Sequence, residues 1–219
     1  MLPSPSGSFV SPDLTSEVRP SEYEALVATV QACRLCPTME GRRRALGCAN
    51  GPLVADAIFV AEAPGRLGAD RTGIPLSGDR AGANFGELLL HAGIERSRVF
   101  VTNAVLCNPR DDRGRNRAPG ATERARCLNH LRRTLTIVRA PVIVSLGTHA
   151  LTALGHIEPH GARLANHVGR EIPWRGITLV PLYHPGSRAR VYRTWPDQRE
   201  DFRRLATTIQ GNGVTFGRS

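Results

Sequence analysis

Four short apolar runs recur along the chain, at 57–64 (AIFVAEAP), 98–106 (RVFVTNAVL), 141–147 (PVIVSLG) and 176–185 (GITLVPLYHP). Runs this short and this continuous suit strands buried on both faces. The stretches AGANFGELLLHAGI, GATERARCLNHLRRTLTIV and THALTALG lie between them with helical patterns. A further helix is expected from PSEYEALVATVQAC, with Ser21 and Glu24 at the spacing of a capping box. This alternation predicts an α/β fold, a three-layer α/β/α sandwich around a central, mainly parallel four-stranded sheet. Ligands of such sheets bind beyond the carboxyl ends of the strands. Here three of those ends, EAPG, TNAVLCNPR and YHP, carry polar or glycine-proline chemistry.

The 219 residues suffice for one sizeable core. Residues 1–19, rich in Pro and Ser, are expected to form a disordered tail, 20–208 a single domain and 209–219 a flexible tail. No stretch approaches the roughly 18–20 apolar residues of a membrane span, and the N-terminus lacks a basic region followed by an apolar core. The expected location is therefore the cytoplasm, where five cysteines point to metal binding or reduced thiols rather than disulfides. A formal charge of +10 and a pI near 10.7 call for a polyanionic partner, with nucleic acid leading. All 29 basic residues are arginine, so only the N-terminal amine could serve a Schiff-base mechanism.

Cys33 and Cys36 form a CxxC, and Cys107 and Cys127 lie 20 positions apart, a set that can close four-thiolate coordination of zinc or an iron-sulfur cluster. Cys48 is left over as a free or buried thiol. The stretch 61–82 is a long Gly- and Pro-rich loop that leads into a helix beginning near Ala81, a setting for close backbone approach and anion binding. It holds Asp70 and Asp79, and Asp79 could equally be a helix N-cap. Asn103, at a strand end, sets an amide inside an apolar run, which suits the edge of a base or a loop backbone. The segment 108–120 carries four arginines among turn residues, in a loop that either faces DNA or is solvated.

Together these residues resemble the uracil-DNA glycosylase superfamily, most closely its iron-sulfur families four and five. The resemblance covers roughly 30–206 and is carried by ACRLCP, EAPG…DRTGIPLSGDRAG, VFVTNAVLCNPR…NRAP…C and HPGS, in that order. It implies that Cys33, Cys36, Cys107 and Cys127 hold a structural [4Fe-4S] cluster away from the chemistry. Glu62, Ala63 and Gly65 belong to the loop whose backbone meets a flipped base, and Asn103 matches the family-four reader of the uracil edge. Asp79 matches the acid position of family five, and His184 matches the histidine of the His-Pro motif. Leu76 stands where a phenylalanine normally stacks on the base, a departure that puts the range of bases in question.

The implied activity is monofunctional excision of uracil from DNA by a monomer, hydrolysing the N-glycosidic bond after base flipping. Asp79 would stabilise the sugar cation and orient water, while His184 would donate to the departing base. Asp70 is the competing water activator. Asn116, Arg117, Arg188, Arg190 and Arg193 are expected at the DNA backbone, with Val191 and Tyr192 filling the gap in the duplex. Two rival readings are excision mainly of hypoxanthine or xanthine, and a non-catalytic, metal-stabilised DNA-binding module.

Overall fold

A computed structural model describes residues 19–212; the expected N-terminal tail lies outside them except for Arg19, and the expected C-terminal tail from 213 onward. Five strands form one sheet: β1 (Ala57–Ala61), β2 (Val99–Asn103), β3 (Val142–Leu146), β4 (Ile172–Trp174) and β5 (Ile177–Leu182). Their order is β2-β1-β3-β5-β4, the first four parallel and β4 antiparallel on the edge. The four expected strands are all present, and the fifth is an addition. β4 escapes a pattern search because it is three residues long and contains Pro173, which an edge strand tolerates.

Every residue of β1, β2 and β3 is buried, as strands covered on both faces require. Ile58, Val60, Phe100 and Ile143 face one core, against Leu26 and Val30 of α1 (Pro20–Gln31), Leu131 of α4 (Ala121–Ile137) and Leu151 of α5 (Thr148–Ile157). Phe59, Val101 and Val144 face the other core, against Phe85 of α3 (Arg80–Ala92) and Phe202 of α7 (Trp195–Asn212). The rings of Phe59, Phe85 and Phe202 lie 5.2–6.2 Å apart and lock this second layer. The short α2 (Ala69–Thr72) and α6 (Leu164–His167) sit in connections. The three-layer reading holds, and α7 continues to Asn212, past the expected domain end at 208.

One local expectation fails. α1 begins at Pro20 with Arg19 as its N-cap, so Ser21 and Glu24 lie within the helix and form no capping box. Proline has its φ preset and lacks the N–H that a first-turn position leaves unpaired, so it starts the helix one residue before the serine.

The outer edge of β2 is also covered. Asn50, fully buried, donates to Val101 O at 2.8 Å, and Arg96 donates to Val99 O at 3.0 Å. Gly51 passes so close that a side chain there would overlap the Val99 carbonyl.

Candidate active site

At the carboxyl ends of the parallel strands lies a cleft of about 390 Å³. The loop after β1 supplies Glu62, Ala63 and Gly65, the last residue of β2 supplies Asn103, and the end of β5 supplies His184. Leu76, Asp79, Asn116, Arg117 and Arg188 complete its walls, so ten of the expected base- and DNA-contacting residues meet here. The β1 loop is held by the segment that follows β2: Val105 N donates to Glu62 O at 3.0 Å and Asn108 Nδ2 donates to Pro64 O at 2.6 Å.

Asp79 serves two ends. Its Oδ1 accepts from Gly82 N at 2.9 Å and caps α3, as one of the two sequence readings had it. Its Oδ2 rests against the α-carbons of Gly65 and Gly68, and a methyl group on either glycine would overlap it. Asp70 lies elsewhere: its carboxylate is ion-paired with Arg110 and accepts from Arg43 N at 3.0 Å, and its side chain is only 7% exposed. Of the two loop aspartates, the one in the cleft is therefore Asp79.

Asn103 is buried, and its Nδ2 has no partner within the chain. Buried amides are normally satisfied, so an unpaired donor on a residue that lines the cleft marks a place where a bound group would supply the missing partner. His184 Nδ1 accepts from Gly186 N at 3.0 Å. In the neutral ring the proton must then sit on Nε2. Burial pushes the His184 pKa below its ordinary value and thereby favours that neutral form, against the opposing pull of the Asp79 carboxylate.

Leu76 lines the cleft with a backbone in the left-handed region, φ 48°, where a non-glycine residue is strained. His149, near the start of α5, was not anticipated. Its Nε2 lies 4.0 Å from Glu62 Oε2, and Glu62 is raised above the usual carboxylate range by burial, opposed by His149 and Arg124. The strand-end rule could have found it, since Gly147, Thr148 and His149 follow β3 directly.

Several expected DNA contacts have other partners. Arg193 forms a two-pronged pair with Asp201, at 2.9 and 2.6 Å. Arg190 donates to Asn84 Oδ1 at 3.1 Å and stacks on Trp195, its guanidinium carbon 4.3 Å from the ring centre. Arg117 is paired with Glu123 at 2.6 Å, and Asn116 Oδ1 accepts from Arg66 N and Asn108 Nδ2, both at 3.0 Å. A run of arginines does not show which are already taken. Val191 and Tyr192, in contrast, are 82% and 76% exposed, and the Tyr192 ring stacks on that of Tyr183. Arg188 is exposed as well.

Away from the cleft, Cys33, Cys36, Cys107 and Cys127 line one small cavity with Met39, Arg44 and His130. Burial, reinforced by the neighbouring thiols, raises Cys107 to about 11 and Cys127 to about 12. Four thiolates could share this space only around a compensating cation, so the donor set fits a thiolate-bound metal group. As placed, no three His, Cys, Asp or Glu groups among the described residues come together as a metal cage. Cys48 stands apart and is exposed.

Comparison with known proteins places the chain in a family. Residues 48–208 match the family model of the uracil DNA glycosylase superfamily. The type-4 uracil-DNA glycosylase of Thermotoga maritima is 33% identical over 74% of this chain and 80% of its own length. That of Archaeoglobus fulgidus is 31% identical over 81% of the chain and 86% of its own length. The type-5 uracil-DNA glycosylase of Thermus thermophilus is 31% identical over 76% and 83%. With a matched domain that spans the whole cleft, the chain belongs to the uracil DNA glycosylase superfamily.

Proposed function

We propose that this chain excises uracil from DNA by hydrolysis of the N-glycosidic bond and leaves an intact abasic site. The observation that carries the reading is the convergence in one cleft of Asp79, Asn103 and His184, from three separate segments, with Asn103 Nδ2 unpartnered and His184 Nδ1 taken by Gly186 N, which leaves the neutral ring's proton to Nε2. The bond breaks with positive charge growing on the sugar and negative charge on the base. Asp79 Oδ2 stabilises the first and orients water, while His184 Nε2–H donates to the departing base oxygen. Asn103 offers its Nδ2–H and its oxygen to the uracil edge, a pattern that cytosine does not match.

Val191 and Tyr192 enter the duplex where the nucleotide leaves, and Arg188 holds a flanking phosphate. With Arg190 and Arg193 occupied inside the chain, phosphate contact passes mainly to exposed arginines such as Arg188. Cys33, Cys36, Cys107 and Cys127 would hold a [4Fe-4S] cluster. When bound, that group would cross-link the end of α1, the segment after β2 and α4, a structural role. The working unit is a monomer in the cytoplasm acting on nucleoid DNA. No helix among the described residues is long and apolar enough to cross a membrane.

The test is a panel of duplexes carrying one uracil, hypoxanthine or xanthine each, incubated with wild type, Asp79→Asn and His184→Ala. Excision led by uracil, reduced about 100-fold or more by either change, is the expected result. Faster release of a deaminated purine would reassign the substrate. Binding without release that either change affects would leave only a DNA-binding module.

A further inference from the structure

Asn84 lies on α3, five residues beyond Asp79, and is buried at 7% exposure. Its Nδ2 donates to Pro185 O at 2.6 Å and its Oδ1 accepts from Arg190 at 3.1 Å. These partners fix which end of the amide is which, since a carbonyl only accepts and a guanidinium only donates. Pro185 O and Gly186 N belong to the same peptide unit, and Gly186 N is the donor to His184 Nδ1 at 3.0 Å. The bonds therefore run in one direction, from the Arg190 guanidinium through the Asn84 amide and the 185–186 peptide to the imidazole.

We propose that Asn84 is a positioning residue for base release: with Arg190 behind it, it orients and polarises the 185–186 peptide so that His184 presents its Nε2 proton to the departing base. Hydrogen bonds in series strengthen one another, and the series here begins on a full positive charge held against Trp195. Each link draws electron density away from the base oxygen, where negative charge appears. The same amide joins the helix capped by Asp79 to the loop that carries His184, so both reactive groups refer to one element. This rests on the reading of His184 as the donor to the leaving base.

The test uses the full chain and a uracil·guanine duplex under single-turnover conditions, with wild type, Asn84→Leu, Arg190→Met, His184→Ala and the double change Asn84→Leu with His184→Ala. Nitrogen-15 NMR of His184 in the wild type and the two relay variants reports which ring nitrogen carries the proton. Asn84→Leu is expected to slow excision about tenfold, with duplex affinity unchanged and the Nε2-protonated form depleted, and to add no loss to His184→Ala. Arg190→Met is expected to slow excision about threefold and carries the test if Asn84→Leu does not fold. Unchanged rate and unchanged His184 protonation in the folded variants would overturn the relay. So would a loss from Asn84→Leu that multiplies that of His184→Ala. If His184→Ala excises uracil as fast as wild type, the donor assignment itself falls, and the relay with it.

Discussion

At Asp79 the helix cap and the proposed chemistry use different oxygens, Oδ1 on Gly82 N and Oδ2 against Gly65 and Gly68. Neither glycine has a left-handed backbone; at Gly65 the carboxylate alone demands the small residue, while at Gly68 the Ser77 carbonyl crowds a side chain as well. Gly65→Ala should therefore leave the fold intact by circular dichroism and slow single-turnover excision about tenfold or more, through a displaced Asp79. An unchanged rate would show that the seat is not needed. Leu76→Phe should strengthen capture of the flipped uracil by about 1–3 kcal/mol at most, read as tighter binding of a duplex carrying a non-cleavable uracil nucleotide. The sign of the pH effect follows from His184. Its folded pKa is lowered, so the neutral form persists below the ordinary 6.5, and the acid limb of the excision profile should lie below that value. Between 6.5 and the lowered value the unfolded chain binds the extra proton, so stability falls as pH drops through that window, and His184→Gln should flatten the slope of melting temperature against pH. Asn103 and His184 were legible because each stands where an apolar run meets a turn, and Asp79 because it is a carboxylate in a Gly-rich loop that leads into a helix. Arg190 and Arg193 were not, because their partners Asn84, Trp195 and Asp201 are set by tertiary packing that no run of letters displays.

Among the elements, α4 shows how a helix start can secure a distant site. Glu123 accepts from Gly120 N at 2.7 Å and from both terminal nitrogens of Arg117, at 2.8 and 2.6 Å, and it receives Thr38 Oγ1 at 3.3 Å. One carboxylate thus caps α4, fixes the cleft-lining segment 116–118 and ties in the CxxC region, while the same helix carries Cys127. Glu123→Ala should lower stability by about 2–4 kcal/mol in a urea melt, since it leaves Arg117 without its counter-charge and α4 without its cap. Helix and strand positions were readable from periodicity, because burial on one face or two leaves a repeat. β4 was not readable, since three residues around a proline leave none, and α1 began a residue before its apparent serine cap because proline suits a first turn.

For the whole molecule, the sheet order gathers residues from β1, β2 and β5 at one end, which is why a cleft legible only as separate strand ends becomes one site. The charge of +10 makes DNA affinity fall with salt, and Arg188→Ala should reduce the slope of log K against log salt by about 0.9. Arg193→Ala should instead cost stability, because Asp201, almost fully buried, would lose its counter-charge. With no lysine anywhere in the chain, borohydride should trap no covalent adduct on uracil-containing DNA, and a trapped adduct would mark a lyase acting through the N-terminal amine. The covered flank of β2 bears on a different hazard. An open parallel sheet presents two raw borders onto which a stray strand can zip, yet here Asn50, Arg96 and the close pass of Gly51 close one border, and a three-residue strand with a proline shortens the other. A chain this rich in short β segments therefore carries its own guard against fibril-like stacking, and Asn50→Leu should betray that guard as faster aggregation on heating, measured by light scattering.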